Sequence, residues 1–113
     1  MQPTRPPLPS AAVHILVALG PGERHGYGIM TEVANLTDGA VRLAPGTLYA
    51  NIKRLLAGGL IEEAVDPPDA DRDDERRRYY RLTTAGRDAV ATEVARMAAL
   101  VSRARPWLQD PHR

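Results

Sequence analysis

A chain of 113 residues with 43% apolar and only 4% aromatic content builds one domain around an aliphatic core, with at most one appended helix. The absence of cysteine excludes disulfides, thiolate metal sites and a cysteine nucleophile, and a net charge of +1 is no general signal of nucleic-acid binding, so any such case rests on where the charges sit. No apolar signal-peptide core opens the chain and no apolar run nears the length of a membrane span, so a soluble cytoplasmic protein with no membrane partner is expected.

Residues 1–9 hold Pro3, Pro6, Pro7 and Pro9 and read as a flexible tail, although Arg5 within it is a possible phosphate contact. Ser10 then reads as the N-cap of a helix over 11–19. Ala12, Val13, Ile15, Leu16, Val17 and Leu19 cover most of that helix, which predicts burial on more than one side. His14 within this run fits a satisfied core or interface histidine better than a metal ligand, because no second ligand type follows at i+4. After Gly20-Pro21-Gly22, His25-Gly26-Tyr27-Gly28-Ile29 opens a second helix to Leu36, with Ile29, Val33 and Leu36 on one stripe. The spacing of Gly26 and Gly28 is not that of a dinucleotide fingerprint; small residues here permit close packing at the helix start. Thr37-Asp38-Gly39 is a turn, and the alternation of Val41 and Leu43 predicts a very short strand.

A third helix is predicted over 45–58. Pro45 suits its first position, and Leu48, Ile52, Leu55 and Leu56 share one face. The opposite face carries Gly46, Thr47, Ala50, Lys53, Arg54 and Ala57, with Tyr49 on the flank. That face is small and positive, which suits close approach to a large anion; a solvated polar face of an ordinary amphipathic helix has the same pattern. Gly58 and Gly59 both permit the left-handed conformation that ends a helix. A strand over 60–65, a loop over 67–75 and a returning strand over 76–82 follow, with Tyr80 and Leu82 on one face. Thr83 caps a last helix from 84 to about 105, which Pro106 ends or kinks. Its residues Val90, Val94, Met97, Val101 and Ala104 are spaced 4-3-4-3, a heptad seam longer than a small core needs. The seam predicts a dimer interface through Val90, Val94, Met97 and Val101, with Trp107 beyond it as a clamp; packing within one chain is the alternative.

The order helix, helix, helix, strand, loop, strand, long helix describes a mainly α fold with a small β-hairpin: a winged helix-turn-helix over 10–83, a dimerisation helix over 84–108 and a tail over 109–113. No nucleophile elbow or phosphate loop is present, the carboxylates concentrate in one loop, and His14, His25 and His112 are scattered, so no enzyme, cofactor or metal site is expected.

Three stretches resemble the PadR family of bacterial transcriptional regulators. They are His25-Gly26-Tyr27-Gly28-Ile29; Pro45-Gly46-Thr47-Leu48-Tyr49 with Arg54-Leu55 and Gly59-Leu60-Ile61; and Arg78-Tyr79-Tyr80-Arg81-Leu82-Thr83 with Gly86. Their order and separation match over residues 10–105, and the short end resembles the subfamily with a single C-terminal helix. The resemblance implies a homodimeric repressor that binds an operator near a promoter, dimerising through its last helix and released by a small aromatic or drug-like effector; two copies one DNA turn apart predict a near-palindromic operator. Two features depart from the family pattern. Ala44 stands where Ser often caps the third helix, and the wing tip carries Asp69, Asp71, Asp73, Asp74 and Glu75 in place of a basic or glycine-rich sequence.

On this reading the third helix enters the major groove of double-stranded DNA. Thr47 and Tyr49 meet phosphates or base edges, Lys53 and Arg54 supply charge, and Arg76 and Arg77 at the wing base meet the backbone. Core packing of Tyr49, and pairing of the wing arginines with the neighbouring acids, are the alternatives. An effector cavity with Ile15, Met97 or Trp107 on its wall is expected between the first and last helices. The rival reading, supported by the acidic wing and the near-zero net charge, is a winged-helix protein-interaction module that binds no DNA.

Overall fold

The computed structural model describes residues 6–64 and 78–109. In chain order the elements are α1 (Ser10–Ala18), β1 (Arg24–His25), α2 (Gly26–Leu36), α3 (Pro45–Ala57), β2 (Ile61–Glu63), β3 (Tyr79–Leu82) and α4 (Thr84–Leu108). The wing-tip loop, Arg76 and Arg77, and residues 1–5 and 110–113 lie outside the described residues.

α1 is central, and its nearly all-round apolar surface is explained by what covers it: α2, α3 and α4 all pack on it. Ile15, Leu16 and Leu19 are fully enclosed together with Ile29 and Val33 of α2, Leu48 of α3 and Ile61 of β2. Burying a side chain of this size contributes about 1.5–3 kcal/mol before the entropy of ordering it. Ser10 is not the cap of α1. Pro9 holds that position, and Ser10 is the first helical residue, its carbonyl accepting a 2.7 Å hydrogen bond from Nδ1 of the half-buried His14.

The sheet has three antiparallel strands in the order β1-β3-β2, one more than a hairpin. The third strand does not come from Val41 and Leu43, which form none. The Val41 amide is taken by the Thr37 hydroxyl at 3.0 Å, and Leu43 is buried in the core. Arg24 and His25 pair instead with Tyr80 and Tyr79, so the start of α2 is joined directly to the base of the wing. On the other side Ile61, Glu62 and Glu63 oppose Leu82, Arg81 and Tyr80. β2 and β3 are shorter than the predicted strands, and the alternation within β3 holds: Tyr80 is buried and Arg81 exposed.

The end of α3 and the start of α4 are set by local hydrogen bonds. At the end of α3 only Gly59 is left-handed, at φ +75°, while Gly58 keeps φ −82°. Leu60 N–H then bonds the Leu55 carbonyl at 3.0 Å and Gly59 N–H that of Leu56 at 3.1 Å, a Schellman ending that drops Leu60 into the core. Thr83 caps α4, its hydroxyl oxygen accepting from Gly86 N–H at 3.0 Å while its O–H donates to the Gly59 carbonyl at 2.6 Å. Gly86 lies directly against the Leu60 carbonyl, where a Cβ has no room. Finally, α4 does not stop at Pro106 but runs on through it to Leu108. At 1.5 Å per residue it is about 37 Å long. Its first half packs on α1 and β3; from Val94 onward most of its residues are exposed.

Candidate nucleic-acid interface

α3 is held by Leu48, Ile52 and Leu55, all buried against the core, with Leu56 half-buried beside them. The opposite side is open: Gly46, Thr47, Ala50, Lys53, Arg54 and Ala57 are all exposed. Pro45 occupies the first turn and no side chain caps the helix at Ala44, so its N-terminal end carries the uncompensated positive end of the helix dipole. Neither Lys53 nor Arg54 forms an ion pair with a described residue, whereas the arginines at the wing base do. Arg81 Nε lies 2.8 Å from Glu62, and Arg78 lies 3.6 Å from Glu63. Among the described residues, then, the two cations of α3 are unpaired and face outward next to a wing base whose described charges are mutually neutralised. Arg76 and Arg77 lie outside the described residues.

Tyr49 is 43% exposed and does not enter the core. Its hydroxyl end lies over Gly26, where a Cβ would come within 2.5 Å of the hydroxyl oxygen. The close packing expected of the glycines at the start of α2 thus falls on Gly26. Nearby, His25 caps α2 by accepting the Gly28 N–H on Nδ1 at 2.9 Å, and its ring meets Tyr79 edge-on with centroids 5.5 Å apart. Burial pushes the Tyr80 hydroxyl above its ordinary pKa; Glu63 and Tyr49 add to the shift and Arg78 opposes it. Sequence reasoning missed Asn51, which is buried on the flank of the α3 core stripe. Its amide donates to the Thr47 carbonyl at 2.8 Å, and its Oδ1 has no partner among the described residues.

The seam residues of α4 divide. Val90 is partly buried against the core, whereas Val94, Met97 and Val101 are 49%, 46% and 49% exposed along the free length of the helix. Leu100, Trp107 and Leu108 extend this apolar surface, and a hollow of about 440 Å³ runs along Leu100, Val101, Ala104 and Leu108. Of the three effector candidates, Met97 and Trp107 lie on this exposed surface. Ile15 has no exposed area. A further residue not flagged in the sequence, Glu93, is buried on α4. Its carboxylate accepts from Leu8 N–H and from Arg96, both at 3.0 Å, and so seats the start of the described chain on the last helix. Among the described residues no histidine and carboxylate group has the arrangement of a metal site, and no helix is long and apolar enough to cross a membrane.

Residues 15–92 match the model of the transcriptional regulator PadR-like family. The transcriptional regulator Rv3488 of Mycobacterium tuberculosis is 37% identical over 83 residues, covering 72% of this chain and 69% of that protein. An uncharacterized 37.1 kDa protein in transposon TN4556 of Streptomyces fradiae is 33% identical over 93 residues; these cover 82% of this chain, which spans only 24% of that protein's length. Among solved structures, a transcriptional regulator from Clostridium thermocellum superposes with a TM-score of 0.69 at 25% identity, covering 85% of this chain and 87% of that one. With a family match that runs from the second half of α1 through the first part of α4, and with a winged helix whose third helix turns Lys53 and Arg54 outward, this chain belongs to the PadR-like family of transcriptional regulators.

Proposed function

We propose that the chain acts as a homodimeric repressor that places α3 of each protomer in successive major grooves of a near-palindromic operator. The observation that carries this reading is the outward face of α3, where Thr47, Lys53 and Arg54 are exposed and the two cations have no ion-pair partner among the described residues. Thr47 at the helix N-terminus meets phosphate or a base edge, and Arg54 has the planar fork that reads guanine bidentately. Tyr49 flanks this face, and Arg76 and Arg77 complete the contact to the backbone from the wing base. Membership in a family of regulators sets aside the interaction-module reading.

The dimer is supported by the length of α4 and by the apolar surface of Val94, Met97, Val101 and Trp107 that one chain leaves uncovered. Two protomers joined there present two copies of α3, which have to lie about one helical turn, roughly 34 Å, apart to engage half-sites. Repression ends when a small aromatic or drug-like molecule occupies an apolar space at the α4 interface, where Met97 and Trp107 lie.

A mobility-shift titration with the DNA upstream of the chain's own coding region, against a scrambled duplex of equal length, tests the reading. Saturable binding of the first with a clear preference over the second is expected. Equal, weak binding of both removes the operator function. Trp107 fluorescence titrated with planar aromatics tests the effector; no response across the series, together with unaltered operator affinity, argues for a regulator without a ligand.

A further inference from the structure

The contact between Gly26 and Tyr49 has a property that ordinary core packing does not explain. Gly26 sits at the first position of α2, is buried, and has no positive φ, so its backbone conformation is open to any L-residue. An alanine there is the better helix former by propensity. The atoms nearest to an added side chain all belong to Tyr49: a Cβ at Gly26 would lie 2.5 Å from the hydroxyl oxygen, 3.0 Å from Cζ and 3.1 Å from Cε1. The tip of a long, stiff side chain from α3 is thus pressed onto the backbone of α2.

The place of that contact matters. Gly26 directly follows β1, whose two residues pair with Tyr79 and Tyr80 of the wing strand. The phenol tip therefore rests at the junction where α2 meets the sheet. α3, by contrast, meets α2 over a narrow area and is fixed mainly by its apolar side on α1. Leu48, Ile52 and Leu55 hold the axis of α3 in the core, and a row of such contacts still permits roll and tilt about the row. Tyr49 projects to the side of that row, with its hydroxyl end over Gly26.

We propose that Tyr49 is a positioning residue: its ring, stopped by the bare backbone of Gly26, sets the angle at which α3 is presented relative to α2 and the wing base. This rests on the reading of α3 as the helix that enters DNA. An added methyl at Gly26 forces the ring or the helix to move by roughly 1 Å to regain an ordinary contact of about 3.5 Å. Base-reading groups have to be held within about 0.5 Å, so this displacement is felt in recognition of the correct sequence. Attraction to phosphate, which tolerates such shifts, persists.

The test uses the full chain and a duplex that the unaltered protein enriches from a randomised pool, with a scrambled duplex as reference. Gly26→Ala is expected to weaken binding of the enriched duplex by about tenfold, with binding of the scrambled duplex within about twofold and an unchanged melting temperature. Tyr49→Phe removes the atom that meets the new methyl first. The double variant Gly26→Ala/Tyr49→Phe is therefore expected to recover much of the lost preference. Tyr49→Phe alone, whose ring still rests on Gly26, is the reference against which the double variant is read. Equal losses on both duplexes, or a double variant no better than Gly26→Ala, overturn the assignment. Should Gly26→Ala fail to fold, Tyr49→Ala, compared with Tyr49→Phe, decides: a tenfold loss of preference in the alanine variant that the phenylalanine variant does not share supports positioning by the ring, and equal preference in the alanine variant and the unaltered protein, or an equal loss in both variants, overturns it. If the unaltered protein enriches no duplex, the DNA-binding reading falls first and this proposal falls with it.

Discussion

Replacing Arg54 by alanine isolates the electrostatic contribution of α3. Arg54 is exposed and forms no ion pair with a described residue, so its loss changes stability by no more than about 0.5 kcal/mol in either direction. Each arginine that neutralises a phosphate contributes about 0.9 to the slope of log affinity against log salt. A dimer presents two copies, so Arg54→Ala lowers the slope by about 1.8. Between roughly 50 and 200 mM salt that difference amounts to about a twelvefold smaller loss of affinity for the variant. If Arg54 also reads guanine, the operator complex loses a further 1–3 kcal/mol or so at each half-site. Fluorescence anisotropy with labelled operator at several salt concentrations measures both quantities. Arg81→Ala is the control, because Arg81 is already neutralised by Glu62 at 2.8 Å, and its slope is expected to stay near that of the unaltered protein. An unchanged slope for Arg54→Ala would falsify the placement of this side chain at the phosphate backbone.

Val94→Asp puts a charge in the middle of the uncovered α4 surface and is expected to give monomers in sedimentation; a persisting dimer means that the interface lies elsewhere. His25→Ala removes both the α2 cap and the edge-on contact with Tyr79, a combined cost of about 2 kcal/mol, which thermal melting registers as a fall of roughly 10 °C. An unchanged melting temperature refutes that account. The raised pKa of Tyr80 means that the folded state holds this phenol's proton after the unfolded chain has released it, so stability declines as pH rises above the ordinary value of 10.0. In Tyr80→Phe that part of the decline is expected to vanish from denaturant titrations; an identical pH dependence in both proteins assigns it to other groups.

The order of helices and strands is legible in this chain because it depends on local periodicity and punctuation. The stripe Leu48, Ile52, Leu55 and the cap at Thr83 need only neighbours within a turn or two of helix to be recognised. The outward cationic face of α3 follows from the same periodicity, since burying one side of a helix exposes the other. The misreadings arose where a distant partner decided. Val41 and Leu43 alternate like a strand, but the Val41 amide is taken by the Thr37 hydroxyl, and the strand that pairs with β3 is Arg24 and His25. Pro106 reads as an end or a kink of the last helix, and α4 continues through it for two further residues, to Leu108, the limit that the sequence reading places on the dimerisation helix.

Local sequence also left the glycines ambiguous. Gly58 and Gly59 are equally able to end α3; the bonds from Leu60 and Gly59 back to Leu55 and Leu56 select Gly59 for the left-handed position. Gly26 stands apart. Its own backbone has no need of glycine, and only folding, which brings the Tyr49 side chain from twenty-odd residues away onto its Cα, creates that need. By itself the amino-acid pattern determined which faces are apolar, which are charged and where helices begin, because those choices are made among neighbours along the chain. The third strand, the seating of Leu8 on Glu93 and the stop that Gly26 offers Tyr49 were decided only in three dimensions, because each requires two surfaces whose meeting no local period encodes.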